Sequence, residues 1–182
     1  MREVKEIFIP QGEYWDEKNE CFIYTKAYTL RLANSLLSIS DWESKYHKSW
    51  FETNFEGDEF LDYIKCMNLT PNVPDDVYLR LTQKDVTEIL DYIKDPMTAT
   101  RITSDKKTVG RDEYVTSEII YYWMAKFGIP FEAERWHINR LIMLIRVCIE
   151  KEKPPKKMSE AELHARHAQI SARNRARRAK KG

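Results

Sequence analysis

The most apolar stretch of the chain runs from Ser117 to Lys151, and its apolar residues recur at helical spacing on both sides of a break at Gly128-Ile129-Pro130. Ile119, Ile120, Tyr122, Trp123 and Phe127 precede the break; Trp136, Ile138, Leu141, Ile142, Leu144, Ile145 and Ile149 follow it. A glycine that accepts a left-handed backbone can end one helix and a proline can open the next, so the pattern predicts an αα-hairpin on which the rest must pack. Within it Trp136 reads as a core residue beside a hydrogen-bonded or half-exposed His137.

Upstream the period changes. Val4 to Ile9 and Cys21 to Leu32, rich in Ile, Phe, Tyr and Thr, read as two strands paired around the polar tip at residues 16–20, with Ser35 to Ile39 as a short third strand. Two strands alone are marginal in water, so this sheet must lie against helices. Ser40-Asp41-Trp42-Glu43 has the form of a capping box and predicts a helix start. Phe60, Leu61, Ile64 and Met67 recur at helical spacing after Gly57-Asp58, Thr70-Pro71 ends that pattern, and Pro74 holds the next residues in a loop. Thr82, with Asp85 three residues on, caps a helix carrying Val86, Ile89, Leu90 and Ile93, which Asp95-Pro96 stops. Residues 97–112 are polar and read as the flexible loop of the body.

Lys153-Pro154-Pro155-Lys156-Lys157 cannot continue a helix, which places the main boundary of the chain there. The expected organisation is a mostly α (α+β) fold: one domain over 1–152, β-rich to residue 39 and helical from 40, then a hinge at 153–158 and a basic helical tail at 159–182. Ser159-Glu160-Ala161-Glu162 opens the tail with a second capping-box pattern, and Leu163 and Ile170 are its only large apolar residues after Met158. A helix with so little to bury frays when alone.

Composition sharpens this division. A 42% hydrophobic content over 182 residues supports a real core, yet the net charge of +1 hides two opposed halves. Residues 1–152 carry 20 Lys/Arg against 27 Asp/Glu, a balance of −7, whereas residues 153–182 carry ten Lys/Arg against Glu160 and Glu162, a balance of +8. The two attract one another at contact distance, or the tail reaches an acidic partner or nucleic acid. Cys21, Cys66 and Cys148, odd in number and widely spaced, read as reduced intracellular thiols, with Cys148 a buried one. No apolar run is long enough for a membrane span, and no signal peptide is expected.

Candidate chemistry is sparse. His164-x-x-His167 shares one helical face, but a metal site needs further ligands and none lies nearby in sequence. The acidic clusters Asp58-Glu59, Asp62 and Asp75-Asp76 fit helix starts and solvated faces, and no phosphate-binding loop is present. The expectation is a non-enzyme without metal or cofactor. The strongest signal is the row Arg166, Arg173, Arg175, Arg177, Arg178, Lys180 and Lys181. It suits nonspecific contact with phosphates, since no aromatic residue follows Met158 to stack on bases; it also suits a helix that orders on a protein partner, or a solubilising end.

Several blocks are similar to a known family. Asp95-Pro96-Met97-Thr98-Ala99-Thr100, Thr116-Ser117-Glu118-Ile119-Ile120-Tyr121-Tyr122-Trp123-Met124, Trp136-His137-Ile138-Asn139-Arg140-Leu141, Leu144-Ile145-Arg146-Val147-Cys148, Pro154-Pro155-Lys156-Lys157-Met158-Ser159 and the Asn174-x-Ala176-Arg177-Arg178 end resemble small tail-module proteins of tailed bacteriophages, over roughly residues 28 to 182. The resemblance implies a tail assembly chaperone type, with tape-measure and tail-tube proteins as partners in the host cytoplasm. Alternatively it implies a minor virion protein of the tail or head-to-tail connector. It brings no catalytic or ligand residue with it.

Overall fold

The computed structural model describes residues 3–16, 20–55, 57–102, 115–153 and 160–179, with positions 14–16, 23, 160–163 and 174–179 described as backbone only. It divides into two compact units, residues 1–149 and 150–182, each taken by itself below. The fold is mostly helical, with a small antiparallel β element at the N-terminal side.

That element is one long hairpin in two ladders. Strand β1 (Lys5–Ile9) pairs with β4 (Tyr28–Leu32), and β2 (Gly12–Asp16) pairs with β3 (Cys21–Thr25) around the tip expected from the sequence. The interruption falls at residues 10–11 and 26–27, where Pro10 has no N–H for the ladder. Ile7, Ile9, Leu30 and Leu32 alternate inward and are buried, while Glu6, Phe8, Thr29 and Arg31 face out. The free edge of β4 is closed by the turn after α2 (Gly57–Met67): Leu69 N–H donates to Arg31 O at 2.7 Å, and Ala33 N–H to Met67 O at 2.8 Å.

Ser35 to Ile39 is not a third strand, and the β-rich part ends at Leu32 rather than residue 39. Helix α1 runs Leu36–Tyr46, and Ser35 is its cap: Ser38 N–H donates to Ser35 Oγ at 3.4 Å and Ser35 N–H to Ser38 Oγ at 3.0 Å. A serine at the third helical position closes this box. Leu36, Ile39 and Trp42 are all buried, which is a helical period and not an alternation. The Ser40-to-Glu43 pattern therefore lies inside α1, and Glu43 has other work. Its Oε1 accepts from Trp50 N–H at 2.9 Å, at the 3-10 turn Trp50–Glu52. Its Oε2 accepts from Ser117 N–H at 2.7 Å and Ser117 Oγ at 2.6 Å. One buried carboxylate thus caps the start of α5 (Ser117–Lys126), where free N–H groups favour negative charge.

Helix α2 carries the expected face, with Ile64 and Met67 buried. Where a loop is expected after Pro74, a short helix α3 (Asp75–Leu79) starts directly. Helix α4 (Gln83–Lys94) opens on the reciprocal Thr82–Asp85 box and buries Ile89 and Tyr92; Val86, Leu90 and Ile93 are only partly covered. Most of the polar stretch expected to be a loop, residues 103–112, lies outside the described residues.

Helix α5 ends as anticipated. Gly128 has φ of 64°, Ile129 N–H donates to Met124 O at 2.8 Å and Gly128 N–H to Ala125 O at 3.3 Å, the paired bonds of a Schellman motif. The next helix does not begin at Pro130. A 3-10 turn, Phe131–Arg135, intervenes, and α6 starts at Ile138 and runs to Glu152. Trp136 is extended, and His137 pairs with Ser35 in an isolated antiparallel bridge, so the two side chains point opposite ways. Trp136 is therefore not a core residue, being 37% exposed with the Arg140 guanidinium 4.9 Å from its ring, while His137 is hydrogen-bonded, as expected, and only 1% exposed.

The consequence is measurable by urea unfolding. Leu141→Ala, at a fully buried site, is expected to cost about 2–5 kcal/mol. Trp136→Ala should cost clearly less, and equal losses at the two positions would contradict this placement.

Candidate partner interface and the buried polar cluster

The most concentrated chemistry in the unit of residues 1–149 surrounds Asn34, in the short link between β4 and α1. Tyr63 OH of α2 donates to its Oδ1, and its N–H donates to Tyr92 OH of α4 at 3.1 Å. Its Nδ2 donates to Ile93 O at 3.4 Å, and its carbonyl accepts from Ile138 N–H at 2.9 Å. His137 completes the cluster. Asn139 N–H donates to His137 Nδ1 at 3.3 Å, so Nδ1 is the acceptor; Nε2 then carries the hydrogen and donates to Tyr92 O at 3.0 Å. In that tautomer the 3.3 Å approach of Asn34 Nδ2 to Nε2 is a contact and not a hydrogen bond.

A neutral His137 also agrees with its surroundings. Burial lowers its pKa from the usual 6.5, outweighing the backbone carbonyl of Tyr92, which raises it. Burial likewise raises the pKa of Tyr63 and Tyr92, keeping both phenols protonated. Its groups hydrogen-bond to one another and to neighbouring backbone, so the cluster ties together the β4–α1 link, α2, the end of α4 and the start of α6. Asn34, Tyr63 and Tyr92 had no local signal in the sequence, because their burial arises only when distant elements meet.

The basic row predicted from the sequence falls on helix α7 (Glu160–Ala179), whose 20 residues span about 30 Å. Arg166 and Arg173 are exposed, as are His164, His167 and Ile170, the last at 50%. Positions 166, 173 and 177 lie along one side of the helix and 175 and 178 along another, from the backbone period. The side chains of Arg175, Arg177 and Arg178 are not described, and Lys180 and Lys181 lie outside the described residues. The hinge residues 154–158 and Ser159 of the second capping box also lie outside them. Among the described residues no three His, Cys, Asp or Glu side chains gather as a metal site would require, and no helix is long and apolar enough to cross a membrane. The three cysteines are free; Cys21 is exposed, Cys66 and Cys148 half-buried.

Comparison of the chain with family models, with curated proteins and with solved structures found no match.

The neutral His137 makes stability depend on pH. Its folded pKa lies below the unfolded value near 6.5, so the unfolded chain binds the proton first and stability falls as pH drops through about 6.5 toward the folded value. Asp62, whose pKa is lowered by Lys45 and Tyr46, loses its contribution only as pH falls through the carboxylate range. Denaturant midpoints followed from pH 8 to pH 5 should therefore decline in the native chain and stay flatter in His137→Gln. Parallel curves would contradict the neutral assignment.

Proposed function

We propose that the chain is a non-enzymatic binding protein that acts through α7, and that it serves assembly of a bacteriophage tail as a chaperone-type factor for tape-measure or tail-tube proteins. The observation that carries the first half is a compact unit whose helix bears exposed side chains from His164 to Arg173, on a chain whose other residues are net acidic. Such a helix has a dispersed cationic surface and, among the described residues, one large apolar side chain exposed, Ile170, which suits docking along a complementary acidic surface. The setting rests on the resemblance of residues 28 to 182 to tail-module proteins, and implies the host cytoplasm during assembly.

A second reading draws on the same cations. Seven Lys/Arg and no acid follow Glu162, a balance that suits phosphates as well as carboxylates. A minor virion component is the third, on the resemblance alone.

Truncation after Lys157 separates these. The shortened chain should keep its cooperative unfolding while tails fail to assemble in infected cells, and normal tails would overturn the proposal. Mature particles should lack the protein; stoichiometric presence would favour the virion reading. Retardation of DNA at low salt, lost steeply as salt is added, would favour the nucleic-acid reading.

A further inference from the structure

A recess of about 310 Å³ opens on the distal ladder of the hairpin, lined by Gln11, Gly12, Glu13, Tyr24 and Thr25. Glu13 and Tyr24 face each other across the ladder, and Tyr24, at 78%, is the most exposed large apolar side chain among the described residues. The floor is firm. Gly12 N–H donates to Thr25 Oγ1 at 3.2 Å, and that hydroxyl donates to Gly12 O at 3.0 Å. A β-carbon at Gly12 would stand 3.5 Å from Thr25 Oγ1, an ordinary contact. Arg80 braces the neck, donating to Thr25 Oγ1 at 2.8 Å, Pro10 O at 2.9 Å and Lys26 O at 3.2 Å, with Asp76 3.8 Å away; its guanidinium is committed to these partners.

An exposed phenol ring beside a solvent-facing carboxylate is the chemistry that receives a guanidinium. The planar cation stacks over the ring face while its N–H groups pair with the carboxylate, which an ammonium does less well. The surrounding charge agrees: residues 12–25 contain Glu13, Asp16, Glu17 and Glu20 against Lys18 alone. The same chain carries the complementary surface, with arginines exposed on α7 and no acid after Glu162.

We propose that this recess receives an arginine from α7 of a second copy of the chain, so that copies associate head to tail. The two surfaces differ, are opposite in charge and are present one to one at any concentration, as a contact between unlike surfaces of identical chains requires. The proposal goes beyond the partner reading above and needs no phage component.

Sedimentation velocity on the full chain tests it. At low salt the average mass should rise with concentration, and at high salt it should fall to that of the monomer. Tyr24→Ala, Glu13→Lys and the paired change Arg166→Glu/Arg173→Glu should each weaken association several-fold; all four side chains are exposed, so the fold should persist. An equimolar mixture of the Glu13→Lys chain and the paired arginine variant should associate again, since the recess of one then complements the helix of the other. A monomer at every concentration would overturn the proposal, as would a compact monomer whose own tail occupies the recess. Association indifferent to Tyr24→Ala and Glu13→Lys, or variants that do not recover on mixing, would overturn it equally.

Discussion

The arrangement of the body depends on the requirement that a buried amide be fully satisfied. Asn34 sits in a three-residue link where backbone and side chain are both withdrawn from water, and its four polar groups find partners on three separate stretches of chain. Leaving one buried group without a partner costs about 1–3 kcal/mol, so α2, the end of α4 and the start of α6 are held to positions that serve this residue. The apolar core supplies most of the stabilising area, but apolar contacts tolerate sliding. The amide and the neutral imidazole beside it do not.

Much of the fold was legible because it rests on local rules. Thr82 with Asp85, the glycine at 128 and the periods of α2 and α4 each act within a few residues, and the structure follows them. The failures have one origin. Ser35 to Ile39 carries enough apolar residues for a strand, but Ser38 answers Ser35 across the first turn, and this pair lacks the Glu or Gln of the familiar motif. A tryptophan in an apolar stretch reads as core, whereas one extended residue before α6 decides that His137 and not Trp136 faces the cluster. Glu43 looked like the end of a capping box and instead caps a helix that starts 74 residues later. Such a partner is chosen in three dimensions, and no spacing announces it.

The candidate interface shows the opposite balance. The place of α7 was readable from the proline break before it and its sign from the run of cations, both of which are local to the chain. The recess on the hairpin was not, since Glu13 and Tyr24 are eleven residues apart and become neighbours only through the ladder register. Neither surface includes a residue of the Asn34 cluster. Residues that meet another molecule are thereby free of the packing demands that fix Asn34, Tyr63 and His137.

The reach of that cluster sets a timetable for synthesis. Asn34 and His137 are 103 residues apart, and closing so long a span is opposed by chain entropy until the intervening elements are in place. In order of synthesis Asn34 meets Tyr63 on α2 first, Tyr92 and Ile93 on α4 next, and Ile138 at the start of α6 last. Until α6 is available the cluster lacks its last backbone partner, and the apolar faces that Ile138, Leu141 and Ile145 pack against remain uncovered by them.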